Sequence, residues 1–149
     1  MILVQEADFN TQTQYEALRQ DSPKIGAIVT FVGLMRDFNE GDDVSSLFLE
    51  HYPGMTESVL EDIREQAMQR WSLNQVRIVH RVGELAPSDQ IVFVGVSSAH
   101  RGEAFAACEF VMDFLKTQAP FWKREQTSKG QRWVEARQSD DSAADRWKS

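Results

Sequence analysis

The fold is decided by the run Val76-Arg77-Ile78-Val79-His80-Arg81-Val82, together with Ile91-Val92-Phe93-Val94-Gly95-Val96 and the segment Arg101–Gln118 that follows them. The first run alternates between a drier and a wetter face and the second is continuously apolar, so both are predicted strands. The third has apolar residues at helical spacing and precedes Pro120, which predicts a helix that ends there. Its stripe consists of Ala104, Cys108, Val111 and Leu115. Adjacent strands followed by a helix favour an α+β fold with a mixed sheet over a doubly wound parallel sheet.

Shorter elements extend this unit in both directions. Towards the N-terminus we predict strands at residues 2–4, 25–33 and 47–52 and helices at 11–20 and 56–71. The strand at 25–33 is predicted to be buried, because β-branched and aromatic residues dominate it. Towards the C-terminus, residues 121–126 and 131–135 predict a hairpin. No glycine-rich dinucleotide turn or Walker loop is present, so neither of these nucleotide-binding classes is supported.

Length and composition restrict the class of protein. The chain has 149 residues, 42% hydrophobic and 26% charged, which suits one globular domain. Its single cysteine, Cys108, excludes an internal disulfide framework and a multi-cysteine metal site. The longest mostly apolar run, residues 25–35, is too short to cross a bilayer, and no secretory signal is recognisable. We therefore expect a soluble, cytoplasmic domain.

Charge is distributed unevenly along the sequence. The net charge of −7 argues against a general nucleic-acid or membrane-surface binder. Residues 116–137 nevertheless hold six basic and two acidic residues, a net +4 that leaves −11 for the remainder. Within this segment, Phe121 and Trp122 directly precede Lys123 and Arg124, and an aromatic surface beside a lysine suits a flat anionic ligand. A focused anion site and a solvated charged hairpin are both compatible with the charge alone.

Other candidate residues have ordinary structural alternatives. His100 and Arg101 follow a predicted strand and open the long helix, a position that suits a bound phosphate. The alternative for His100 is a capping or surface histidine. His51 and His80 lie in strand patterns without metal-ligand spacing, and both are predicted to be structural. Cys108 lies on an apolar stripe and is predicted to be a small buried hydrophobe. We expect no metal and no cofactor.

Seven short pieces, in one order, carry a resemblance to a known family. They are Gly26-Ala27-Ile28-Val29-Thr30-Phe31 with Gly33 and Arg36, Leu49-Glu50-His51-Tyr52-Pro53-Gly54-Met55, His80-Arg81-Val82-Gly83-Glu84-Leu85, Ile91-Val92-Phe93-Val94-Gly95-Val96, Ser98-Ala99-His100-Arg101, Asp113-Phe114-Leu115-Lys116-Thr117, and Ala119-Pro120-Phe121-Trp122-Lys123-Arg124-Glu125 followed by Trp133-Val134-Glu135-Ala136. On these pieces, which cover most of residues 26–137, the chain resembles the large, catalytic subunit of molybdopterin synthase.

The resemblance implies a fold, a reaction and partners. The fold is an α/β hammerhead, α+β with a mixed, mainly antiparallel sheet and two long amphipathic helices. We expect one domain of residues 1–137 and a polar tail of residues 138–149. The implied reaction, in molybdenum cofactor biosynthesis, converts precursor Z, a cyclic pyranopterin monophosphate, to molybdopterin. Two sulfurs come from the C-terminal thiocarboxylate of a small ubiquitin-like carrier subunit, and a homodimer binds one carrier at each end to form a heterotetramer.

Site residues follow from the same resemblance. The family's two essential lysines fall on Lys116 and Lys123. We assign Lys116 to the carrier's C-terminus and Lys123 to the substrate. Besides these lysines, the implied substrate-binding residues are Arg36, His100, Arg101, Arg124 and Glu125. Leu34 and Met35 stand where many relatives carry a basic residue, so we expect backbone contacts to substrate there.

The rival interpretation is a non-catalytic module that binds a phosphorylated metabolite or a ubiquitin-like tail. The two lysines separate these alternatives. Arginine cannot release its proton, so a pure binder would accept arginine at both positions whereas acid–base catalysis would not. Lysine is present at Lys116 and at Lys123.

Overall fold

In the computed structural model, which describes residues 1–39, 41–134 and 138–148, the chain forms an α+β fold of two sheets and four helices. In chain order, the elements are β1 (Ile2–Gln5), α1 (Thr11–Arg19), β2 (Ala27–Leu34), β3 (Phe38–Asn39), β4 (Asp42–His51), α2 (Met55–Arg70), β5 (Gln75–Arg81), β6 (Gly83–Leu85), β7 (Gln90–Ser98), α3 (Arg101–Gln118), β8 (Phe121–Thr127), β9 (Gly130–Val134) and α4 (Gln138–Asp145). The predicted α+β class is confirmed.

Two sheets divide the strands between them. The four-stranded sheet has the order β1–β5–β7–β2, in which only the β1–β5 pair is parallel. The second sheet has the order β3–β4–β8–β9, and β6 also pairs with β4. All pairs in this second sheet are antiparallel. The predicted strand pair and the predicted late hairpin therefore lie in different sheets.

Alternation along the central strands places apolar side chains on both faces of the first sheet. Val92 and Val94 of β7 face the main core, which α2 and α3 cover. Phe93, between them, faces a second cluster with Leu18 of α1. Gly95 permits this packing, because a Cβ there would lie 2.4 Å from Leu18 Cδ1. Helices thus cover both faces of the first sheet. A third hydrophobic cluster forms the core of the second sheet.

The predicted burial of the strand at 25–33 is wrong. Within the described part of the chain β2 is an edge strand whose one partner is β7, and Phe31 and Leu34 are exposed. A high content of β-branched residues indicates that a segment forms a strand, but it does not indicate whether that strand is central or at the edge of the sheet.

The polar C-terminal segment is held against α3. α4 contributes buried Ala144 to the main core, and Trp147 contacts Trp71 and Phe110 edge-on. Trp147 Nε1 also donates to Asp113 Oδ2 at 2.7 Å. The expected division of the chain at residues 137 and 138 stays a prediction, because residues 135–137 lie outside the described ranges. No helix within the described ranges is long and apolar enough to cross a membrane.

Candidate active site

A cavity of about 340 Å³ lies where the end of β2, the last turn of α3 and one face of β8 meet. Its lining includes Leu34, Met35, Arg36, Lys116, Lys123 and Glu125, which are six of the nine predicted site residues. The remaining wall comes from Phe38, Asn39, Leu47, Ile91, Phe121, Val134 and Asp140. Residues far apart in sequence are therefore gathered around one volume large enough for a small heterocyclic ligand.

Local chain geometry brings the two lysines to this cavity. Lys116 lies in the last turn of α3, which ends at Gln118 before Pro120. β8 then begins at Phe121, and because strand residues alternate between faces, Lys123 shares a face with Phe121. A smaller adjoining cavity of about 90 Å³ is also lined by both lysines. The lysine pair thus forms part of a wall shared by two cavities.

The pairing of β2 with β7 becomes irregular where the chain continues into Leu34, Met35 and Arg36. The register with β7 shifts between Gly33 and Leu34. Met35 is only 5% exposed and packs in the core of the second sheet. Its backbone N–H donates a hydrogen bond to Asp89 O at 2.9 Å. Leu34, 53% exposed, lines both cavities. Arg36 is exposed and supplies a guanidinium at the cavity wall.

Glu125 is a buried carboxylate in the same wall, 7% exposed. Its Oε1 accepts from Arg132 Nε and from Asn39 Nδ2, both at 3.1 Å. Its Oε2 lies 3.2 Å from the same Asn39 nitrogen. A buried carboxylate is expensive unless it is paired and hydrogen-bonded, and these contacts meet that requirement.

The local charge is smaller than the sequence indicates. Of the six basic residues in 116–137, Arg132 forms ion pairs with Glu125 and Asp42, and Lys129 pairs with Asp42. Arg137 lies outside the described residues. The cations that line the cavity are Arg36, Lys116 and Lys123. Among the described residues, the positive character of the site therefore comes from three side chains, which lie in the loop after β2, in α3 and in β8.

Arg124 lies on the opposite face of β8. Its guanidinium sits over the Phe48 ring, 5.1 Å from the centroid, and over the Trp133 ring at 5.9 Å. It lines a different cavity of about 230 Å³ on that face. Strand alternation explains the separation, since neighbours on a strand point to opposite sides. A substrate contact from Arg124 therefore has no support from its position beside Lys123, and it stays a prediction.

His100 and Arg101 also lie away from this cavity within one copy of the chain. His100 is the N-cap of α3 and Arg101 its first residue, whereas Lys116 is in its last turn. At 1.5 Å per residue, the helix separates Arg101 from Lys116 by about 22 Å. Both residues are exposed. Their assignment as substrate-binding residues stays a prediction, because they do not line the cavity within one copy of the chain.

His80 lies next to the two lysines of the site, a position that its strand pattern does not predict. It is 4% exposed and lines the smaller cavity with both lysines. Its Nδ1 lies 2.8 Å from Arg81 O, and because a carbonyl oxygen only accepts, Nδ1 carries the proton. Burial lowers the pKa of His80 to about 3, and the charges of Lys116 and Lys123 act in the same direction. The ring is therefore neutral at physiological pH.

Cys108 has the structural role predicted for it. It is buried on the inner face of α3. Burial raises the pKa of its thiol to about 12, so it is not a nucleophile at neutral pH. Within residues 1–39, 41–134 and 138–148, no cluster of three or more His, Cys, Asp or Glu side chains is arranged to hold a metal ion.

Comparisons with known proteins show the family of the chain. The sequence model of the family described as MoaE protein matches residues 4–118. The chain belongs to the MoaE family. MoaE-family relatives named molybdopterin synthase catalytic subunit, from Ralstonia nicotianae and Vibrio cholerae, are each 58% identical over 98% of this chain and over 83% and 97% of their own lengths.

Solved structures give the same result for the fold. The MoaE protein from Burkholderia ambifaria superimposes with a TM-score of 0.86 at 53% identity, covering 100% of this chain and 98% of that one. The complex of subunits 1 and 2 of molybdopterin-converting factor from Helicobacter pylori has a TM-score of 0.74 at 17% identity, covering 91% of both chains. The MoaE fold therefore persists where sequence identity is low.

Proposed function

We propose that this chain is the catalytic subunit of a molybdopterin synthase. It converts precursor Z to molybdopterin with two sulfurs from the C-terminal thiocarboxylate of a small ubiquitin-like carrier. The observation that carries the proposal is the convergence of Lys116 and Lys123, from α3 and β8, on one cavity. Relatives named for this activity align with 98% of the chain.

The residues of the cavity suit the chemistry of sulfur transfer. Attack by a thiocarboxylate on the substrate requires an oxygen leaving group to be protonated and developing negative charge to be stabilised. The ammonium groups of Lys116 and Lys123 are proton donors for this purpose, and Arg36 supplies a fixed cation for the phosphate. We assign Glu125 the role of accepting hydrogen bonds from the N–H groups of the pterin ring. In this proposal Lys116 serves the carrier terminus and Lys123 the substrate.

A second copy of the chain completes the proposed site. His100 and Arg101 are exposed at the far end of the rigid helix α3 and do not line the cavity of their own protomer. We infer that a homodimer brings them to the cavity of the other protomer, where they bind the phosphate. Each of its two sites receives one carrier subunit, which gives a heterotetramer. The reaction is assigned to the cytoplasm, without nucleic acid or membrane.

One reconstitution tests the proposal. The purified chain is mixed with a thiocarboxylated carrier and precursor Z, and molybdopterin is measured as its fluorescent oxidation product. We expect product only when all three components are present. Lys116→Arg and Lys123→Arg variants serve as matched controls, because they keep the positive charge but cannot release a proton. Binding of precursor Z without product in the wild type would instead favour the non-catalytic binding module.

A further inference from the structure

Arg132 connects the cavity wall to the turn at its rim without lining the cavity itself. Its Nε donates to Glu125 Oε1 at 3.1 Å. Its Nη1 donates to Asp42 Oδ2 and its Nη2 to Asn39 O, each at 2.8 Å. One guanidinium from β9 therefore links Glu125 of β8 to Asn39 at the end of β3 and to Asp42 at the start of β4.

The planar shape of the guanidinium explains why three contacts can be made together. Its N–H groups project in a fixed fork, so the positions of three acceptors are set relative to one another by one rigid group. Its hydrogen bonds to Glu125 and to Asp42 raise the pKa of the Arg132 guanidinium, which therefore stays charged. The turn is held further from the solvent side, where Lys129 pairs with Asp42 at 3.0 Å.

Glu125 keeps capacity to accept hydrogen bonds from a ligand. Oε1 is occupied by Arg132 and Asn39, whereas among the described residues Oε2 has a contact with Asn39 Nδ2 alone, at 3.2 Å. A carboxylate oxygen accepts about two hydrogen bonds. With Oε1 fixed, the carboxylate cannot rotate freely, and the remaining acceptor position is directed by the network and not by the ligand.

We propose that Arg132 is a positioning residue for substrate recognition. It fixes Glu125 so that one carboxylate oxygen receives N–H donors of a heterocyclic ring. This inference rests on the proposed function for the identity of the ring as a pterin. Arg132 itself touches no substrate, and its effect passes through Glu125.

The test measures both equilibrium binding of precursor Z without carrier and KM in the reconstituted reaction. We expect Arg132→Gln to weaken binding and raise KM by at least about tenfold, the effect of losing one hydrogen bond to a charged group. The change in kcat should be much smaller, because both lysines remain. Arg132→Lys, which keeps the charge but not the fork, should fall between the wild type and Arg132→Gln. Thermal unfolding identifies any variant that is not folded, and Arg132→Lys then carries the test.

A double-mutant comparison separates positioning from general damage. In a Glu125→Ala background there is no carboxylate to position, so we expect Arg132→Gln to change binding by less than about twofold. Lys129→Ala is the matched control, since it removes the other cation on Asp42 but has no contact with Glu125. Its binding should equal that of the wild type.

Three outcomes would overturn the inference. They are unchanged binding in Arg132→Gln, an equal loss with and without Glu125, and a Lys129→Ala loss as large as that of Arg132→Gln. Failure of the wild type to make molybdopterin would contradict the proposed function instead. The binding measurements would still decide the role of Arg132.

Discussion

The imidazole of His80 stacks on the ring of Phe121, with centroids 3.8 Å apart and 17° between the planes. Phe121 begins β8 two residues before Lys123, and both residues line the smaller cavity with His80. The stack therefore fixes the start of the strand that carries one of the two lysines. A charged ring at His80 would face Lys116, Lys123 and His51, all of which disfavour protonation.

The buried histidine makes stability depend on pH. Because the pKa of His80 is about 3 in the folded chain and 6.5 in the unfolded chain, the unfolded state binds more protons between these values. The contribution of neutral His80 to the free energy of unfolding should be complete above pH 6.5. As the pH is lowered below this value, the free energy of unfolding should fall by up to about 1.4 kcal/mol per pH unit. Urea denaturation between pH 4.5 and 7 measures this slope. His80→Phe should reduce it and exposed His100→Phe should not; equal slopes in all three proteins would contradict the assignment.

The two lysines should separate by function. We expect Lys116→Ala to impair use of the carrier and Lys123→Ala to impair conversion of bound substrate, with product formation reduced by about 10²–10⁴-fold in each. Carrier affinity, measured by titration, and single-turnover rates are determined separately for both variants. If both variants lose carrier affinity and neither loses the chemical step, the division of roles is wrong.

Sharing of sites between protomers has its own test. Lys116→Ala and Arg101→Ala chains, each inactive alone, are co-expressed with different affinity tags, and the mixed dimer is purified. One of its two sites then carries both substitutions and the other carries neither, so activity should return to about half that of the wild type. A mixed dimer as inactive as its parents would show that each protomer uses its own Arg101.

The C-terminal segment should contribute to stability through Trp147. Its ring contacts Trp71 and Phe110, and its Nε1–H donates to Asp113. We expect Trp147→Ala to lower the free energy of unfolding by about 2–4 kcal/mol, from lost aromatic packing and one lost hydrogen bond. Lys148→Ala, which removes an exposed ion pair, should change it by less than about 0.5 kcal/mol. Chemical denaturation of the two variants provides the comparison, and equal stabilities would contradict it.

Elements with strong periodicity were predicted well from the sequence. α3 has the predicted bounds, because its apolar stripe and Pro120 define both its inner face and its end. β7 extends the predicted apolar run by one or two residues at each side. The short β3 and the polar α4 were missed, since their positions depend on contacts with β4 and α3 that no local pattern contains.

Within the site, resemblance and geometry contributed differently. The sequence motif placed Lys123, Arg124 and Glu125 together, but strand alternation sends Arg124 to the other face. His80 was interpreted as structural because a lone histidine in a strand carries no spacing signal. Its position beside the lysines becomes visible only in the tertiary structure, where its ring stacks on Phe121 at the start of β8.

Cys108 gives the sulfur-transfer reaction one further constraint. It is the single cysteine of the chain, and it faces the core with its thiol protonated. Formation of a persulfide requires an accessible thiolate, so Cys108 cannot store a sulfur atom as a persulfide between steps. In the proposed reaction each sulfur must pass straight from the carrier to the pterin, and a spent carrier must leave before the second sulfur can arrive.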